Sequence, residues 1–149
     1  MLTRAADYAT RVMVHLATLP AGTRLQRASL AQATDVPDSF LSKVLQELVS
    51  AGLVASKRGA DGGFELAMAP ETISLLDVVE AIEGAMRLNV CVGIDGACNR
   101  SGACSVHLVW VEAQDAVVKV LKSANIASLA RLTLIRQSAS GNPKLLSPA

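Results

Sequence analysis

Two short alternating runs closed by a glycine-rich turn, with three helical segments ahead of them, limit the fold more than any other feature. Leu53-Val54-Ala55-Ser56-Lys57 and Phe64-Glu65-Leu66-Ala67-Met68 flank Arg58-Gly59-Ala60-Asp61-Gly62-Gly63. Strands joined by a glycine turn make a hairpin. Upstream, Leu2, Ala6, Ala9, Val12, Met13, Leu16 and Leu19 recur at helical spacing until Pro20-Ala21-Gly22 stops the pattern. A short second helix is predicted through Ala28–Ala33, followed by a tight connection, Thr34-Asp35-Val36, with Pro37 at the threshold of the next helix. Leu41, Val44, Leu45 and Leu48 then form an i, i+3, i+4, i+7 stripe, with Asp38 or Ser39 near its start and Gly52 after Ala51 as a stop. Three helices with a tight turn between the second and third, then a two-stranded ribbon, is the order of a winged helix-turn-helix domain. Residues 1–70 are assigned to it.

The third helix carries Ser39, Ser42, Lys43 and Gln46 opposite its leucine stripe, groups suited to base edges and phosphates in a major groove. A solvated polar face would explain these alone. The reading shifts toward double-stranded DNA because Lys57, Arg58 and Gly59 sit at the ribbon turn, and Arg4, Arg11, Arg24 and Arg27 add a scatter of possible phosphate partners. A formal net charge of only +1 means that the case rests on where the cations lie, not on their number.

Past Pro70, Ile73–Ile82 reads as a fourth helix in which Ser74 caps and Asp77 supports the first turn. A long helix is predicted from Ser105 to about Ser123, with Glu112, Asp115, Lys119 and Lys122 on one narrow polar stripe. The rest of it, including Val106, Val109, Trp110, Ala113, Val117, Val120 and Leu121, with Leu108, Val111 and Val118 beyond them, is wider than one small domain buries. It is expected to pack on two sides. A central helix of a monomer would satisfy that, but a dimerisation helix is favoured because a symmetric partner suits a DNA-reading head. A last short helix holds Ile126, Leu129, Leu132 and Ile135, and the Ser-, Pro- and Gly-rich end from Ser138 reads as a frayed tail. The assignment is therefore a mainly α chain with a small β-hairpin wing: residues 1–70 the head, 71–136 a cysteine loop with dimerisation helices, and 137–149 a flexible tail. No run reaches the roughly 18 apolar residues of a membrane span, and no apolar leader follows Met1-Leu2-Thr3-Arg4, so a cytoplasmic protein without a membrane partner is expected.

The only three cysteines fall together with a histidine, Cys91-x6-Cys98-x5-Cys104-x2-His107. A free cysteine is most often a small packing hydrophobe, yet Cys91 and Cys98 edge a glycine- and turn-rich loop without apolar periodicity. An odd count argues against a disulfide framework. A metal or iron–sulfur site leads. His107 lies about one helical turn from Cys104, so both can face one centre. A Cys3His zinc site and a cluster-free thiol switch remain as alternatives. Paired acid–base residues and a phosphate loop are missing, so the chain is not read as an enzyme.

Leu2-Thr3 with Asp7-Tyr8-Ala9, the wing Arg58–Leu66 and the triple-cysteine loop running into a long helix together resemble the Rrf-type (Rrf-two) regulators. The resemblance spans about residues 1–135. It implies a homodimeric winged-helix transcription factor, usually a repressor, whose operator binding is governed by an iron–sulfur cluster responsive to nitric oxide, redox or iron status. Cys91, Cys98 and Cys104 match the family's cluster ligands, though the first gap varies in length among members. Two positions match known fourth ligands: His107, implying 2Fe–2S, and Asp7 reaching from the partner subunit, implying 4Fe–4S. Both stay open. Ser39 and Phe40 resemble a Ser-Tyr pair at the family's DNA face, whereas Ser42 stands where that pattern has a discriminating glutamate, so an operator sequence does not transfer.

Overall fold

The computed structural model describes residues 2–92, 98–100 and 102–141. Helix α1 (Arg4–Thr18) starts where the Thr3 side chain accepts from the Ala6 amide, and it buries Ala6, Ala9, Val12, Met13 and Leu16 along one face. Helix α2 (Arg27–Thr34) ends on Asp35, the one non-glycine residue with positive φ among those described. An aspartate tolerates this left-handed turn at small cost, and the turn feeds Val36 into the core before Pro37 opens α3 (Asp38–Ser50). On α3 the predicted stripe, Leu41, Val44, Leu45 and Leu48, is buried.

The hairpin consists of antiparallel β1 (Val54–Lys57) and β2 (Gly63–Leu66), in a register that pairs Val54 with Leu66 and Lys57 with Gly63. The return strand therefore begins one residue earlier than the alternation suggested and ends at Leu66, not Met68; a 3-10 turn at Pro70–Thr72 redirects the chain. Phe64 also pairs with Leu25, each amide donating to the other's carbonyl at 3.0 and 2.8 Å. This contact explains Gly63. Its φ is +132°, and a Cβ there would lie 2.6 Å from the Leu25 carbonyl oxygen, so only glycine lets the wing close on the segment before α2.

Helix α4 (Leu75–Glu83) opens with a capping box: the Ser74 hydroxyl accepts from the Asp77 amide at 3.1 Å, and Asp77 Oδ2 accepts from the Ser74 amide at 2.8 Å. Helix α5 (Ser105–Ser123) has no buried residue, whereas α6 (Ile126–Ser140) lies against α1 and buries Ile126 and Ala130. The last helix is therefore not short. It runs into the segment read as tail and stops at Gly141 in a left-handed cap; residues 142–149 lie outside the described residues. Ser74 and Asn125 pair across the chain, with the Leu75 amide on Ala124 O (2.7 Å) and the Ile126 amide on Ile73 O (2.9 Å). One core joins α1, α2, α3 and β1 to Ile73, Val78 and Ile126. Among the described residues, no helix is long and apolar enough to cross a membrane.

Candidate DNA interface and cysteine site

A groove of about 650 Å³ runs between α3 and the wing, and it brings together Ser42, Gln46, Lys57 and Arg58. Its walls also include Arg27 and Phe64. Ser39, Lys43 and Gly59 are exposed beside it. Phe40, half exposed at 50%, sets its ring edge-on to Tyr8 at a centroid distance of 5.7 Å, and the Arg11 guanidinium lies over the same Tyr8 ring. The cations are less free than their scatter along the chain implied. Arg24 is held by Glu65 (2.9 Å), Arg27 by Asp38 (3.1 Å), and Arg11 by Asp7 (2.7 Å); Arg27 also donates to the Ser42 hydroxyl at 2.8 Å. Lys57 and Arg58 on the wing form no ion pair among the described residues. Exposed pairs of this kind contribute about 0–1 kcal/mol each, little enough for a phosphate to displace the carboxylate.

Cys91, Cys98 and Cys104 are each half-buried, and none forms a disulfide. Cys104 occupies the N-cap of α5 without using its side chain as a cap, and the His107 amide donates to the Cys104 carbonyl at 3.1 Å. This places the imidazole one turn into α5, where His107 Nδ1 is buried without a hydrogen-bond partner among the described residues. A buried ring nitrogen left unsatisfied is costly and is chemically suited to a metal, as are three thiols; the donor set fits an iron–sulfur cluster or zinc. Among the described residues, no three histidine, cysteine, aspartate or glutamate side chains are gathered closely enough to hold an ion, and residues 93–97 between the first two cysteines lie outside them. Asp7 sits in the first turn of α1 with its carboxylate on Arg11.

Three residues not singled out from the sequence fix the approach to this loop. Glu83, at the end of α4, accepts from the amide (3.1 Å) and the hydroxyl of Thr3, tying the start of α1 to the exit of α4. Glu80 accepts from the Met86 amide at 2.9 Å. Gln114 of α5 accepts from the Leu88 amide at 2.9 Å and donates to the Met86 carbonyl at 2.5 Å. Their periodic positions gave no hint of this, because each bond joins a helix to irregular backbone.

On α5, His107, Val111, Gln114, Val118 and Leu121 are half-buried at alternating four- and three-residue steps, the stripe a helix presents to a neighbour. Within the chain that neighbour is α4. Leu108 and Val109, at 72% and 63% exposure, with Val106, Trp110 and Val120, remain open to solvent. Helix α5 is thus not the central helix of a monomer. Asp115 and Lys119, spaced for an i, i+4 pair, do not form one.

The family model for Rrf2, described as an iron-dependent transcriptional regulator, matches residues 2–132. A candidate HTH-type transcriptional regulator of Mycobacterium tuberculosis is 34% identical, over 84% of this chain and 78% of that one. The HTH-type transcriptional regulator NsrR of Geobacillus kaustophilus is 30% identical, over 86% of this chain and 88% of its own. In structure the chain is similar to CymR, the global cysteine regulator of B. subtilis, with a TM-score of 0.71 at 26% identity, covering 89% of this chain and 97% of that one. These relatives are regulators and not enzymes.

Proposed function

The chain belongs to the Rrf2 family of iron-dependent transcriptional regulators, and from that premise we propose that it is a cytoplasmic homodimeric repressor whose hold on promoter DNA is set by an iron–sulfur cluster. Cys91, Cys98 and Cys104 would hold the cluster, completed by His107 of the same chain or Asp7 of the partner. The observation that carries the reading is the buried His107 Nδ1, without a partner among the described residues, one turn beyond Cys104, at the root of a helix that leaves its apolar surface uncovered.

In this reading two α3 helices enter successive major grooves. Ser39, Phe40, Ser42, Lys43 and Gln46 face the bases and phosphates, and Lys57, Arg58 and Gly59 of the wing reach an adjacent minor groove. The exposed side of α5 meets its copy across a two-fold axis. When bound, the cluster supplies a redox- and nitric oxide-sensitive centre whose loss withdraws a ligand-holding constraint. The residues around it carry that change. Gln114 and Glu80 pass the position of the loop stem to α5 and α4. Recruitment of Asp7 would release Arg11, which lies on Tyr8, which in turn abuts Phe40 on the DNA-facing helix.

Anaerobic purification with an absorption spectrum and iron and sulfide analysis, on wild type, His107→Ala and Asp7→Ala, tests the centre. A brown protein whose spectrum changes in one variant names the fourth ligand; a colourless protein with stoichiometric zinc would replace the cluster by a structural site. A promoter-shift assay tests the switch. Alanine at all three cysteines should abolish the response to nitric oxide and oxidant, and an unchanged response would sink the sensing role. A colourless, zinc-free protein that loses its oxidant response in that triple variant would point to a thiol switch.

A further inference from the structure

Between α1, the end of α2 and α6 lies an open cleft of about 320 Å³, at the small end of the roughly 300–1,000 Å³ range of ligand pockets. Its wall has an unusual hydrogen-bonding balance. The hydroxyls of Thr10, Thr18 and Thr34 each donate to a carbonyl of their own helix, at 2.9 Å to Ala6, 2.6 Å to His15 and 2.6 Å to Leu30. Each proton is committed, so toward the cavity these groups offer lone pairs. Gln137 adds an amide oxygen that is buried and accepts no hydrogen bond among the described residues. Gln137 Oε1 is thus a buried acceptor without a donor among the described residues, a destabilising state, beside the lone pairs of three threonines; Thr133 and the His15 ring add a hydroxyl and one N–H to the same wall.

Arg11 lies at the rim with its side chain 45% exposed and spends one amine of its guanidinium on Asp7. Burial lowers the His15 pKa from the usual 6.5. At neutral pH its ring is uncharged and gives one donor and one acceptor, leaving Arg11 as the cation among the residues lining the cavity. We propose that this cavity binds a small zwitterion of the α-amino acid class, its ammonium among the threonine oxygens and Gln137 Oε1 and its carboxylate toward Arg11. An ammonium supplies donors to Gln137 Oε1 and the threonine lone pairs, and a carboxylate matches the planar fork of arginine. A ligand so held bridges the end of α2, within the helix-turn-helix, to α6 without touching the cysteines.

Calorimetric titration of the full-length, anaerobically purified protein with each standard L-α-amino acid tests this, with propionate and ethylamine as controls bearing one charge each. At least one amino acid should bind with a Kd of about 1 mM or tighter, and both controls should bind at least about tenfold more weakly. Gln137→Leu and, separately, Thr34→Val should each weaken binding about tenfold or more, with amide NMR spectra showing an intact fold and ligand-induced shifts confined to α1, α2 and α6. No binding across the panel, controls that bind as well as the amino acid, or affinity unchanged in both variants would overturn the proposal. None of these readouts involves DNA or the cluster, so they stand or fall apart from the regulator reading.

Discussion

Helices α1 and α5 carry comparable apolar content and meet opposite fates. Fifteen residues of α1 bury Ala6, Ala9, Val12, Met13 and Leu16, because α3, α4 and α6 all pack around it. Nineteen residues of α5 bury none, because α4 is its main neighbour within the chain. Apolar periodicity specifies that a surface wants covering and is silent on what covers it. The head is completed inside one chain; α5 is not covered within it, and its open side is the surface the proposed two-fold copy would take.

The contrast is open to attack by mutation, beginning with the head. Leu41→Ala removes a fully buried side chain from α3 and should cost about 3–5 kcal/mol of folding stability by urea denaturation. Trp110→Glu should leave helix content intact yet yield monomers in sedimentation, and operator affinity should fall about 100-fold as the two heads lose their linkage. If Trp110→Glu unfolds the protein as Leu41→Ala does, the distinction between the helices collapses. Gly63→Ala, set against the Leu25 carbonyl at positive φ, should cost about 1–3 kcal/mol and loosen the wing before the rest of the head.

The smallest effect is a pH dependence. Burial lowers the pKa of His15 below its unfolded 6.5, so the folded state resists a proton that the unfolded chain accepts. Its contribution to stability is full above about pH 6.5 and declines as pH falls from there through the folded value. His15→Gln should flatten that acid-side slope, measured as melting temperature against pH; an unchanged slope would assign it elsewhere.

Much of the head was legible because its signals are local. Stripes at 3.6 spacing, Pro37, the capping box at Ser74 and the glycine turn each act within a few residues, and the elements follow them. The pairings of Leu25 with Phe64 and Ser74 with Asn125 were not legible, since a single bridge leaves no periodicity. Nor was the neutralisation of Arg24 by Glu65, which folding brings together from distant positions. Helix α6 was cut short because its leucine and isoleucine spacing lapses after Ile135, although Arg136, Gln137 and Ala139 continue the helix to Gly141. At the cysteines, residue type and order named the donors. Their mutual geometry runs through residues 93–97, outside the described residues, and the approach is set by Gln114, Glu80 and Glu83 through contacts that leave no periodic signal.

The pairing of Ser74 with Asn125 gives this architecture a modular character. The chain departs from the head at Ile73 and rejoins it at Ile126, and those two residues are hydrogen-bonded to each other. Between them α4 still packs on α1 and α3, and the chain beyond it, through the cysteine loop and α5, returns to that same joint. Lengthening or shortening it at the cysteine loop adds only the slowly growing entropy of a larger loop and leaves the DNA-facing register alone. Variation in the length of that loop is thus absorbed outside the joint of Ile73 with Ile126.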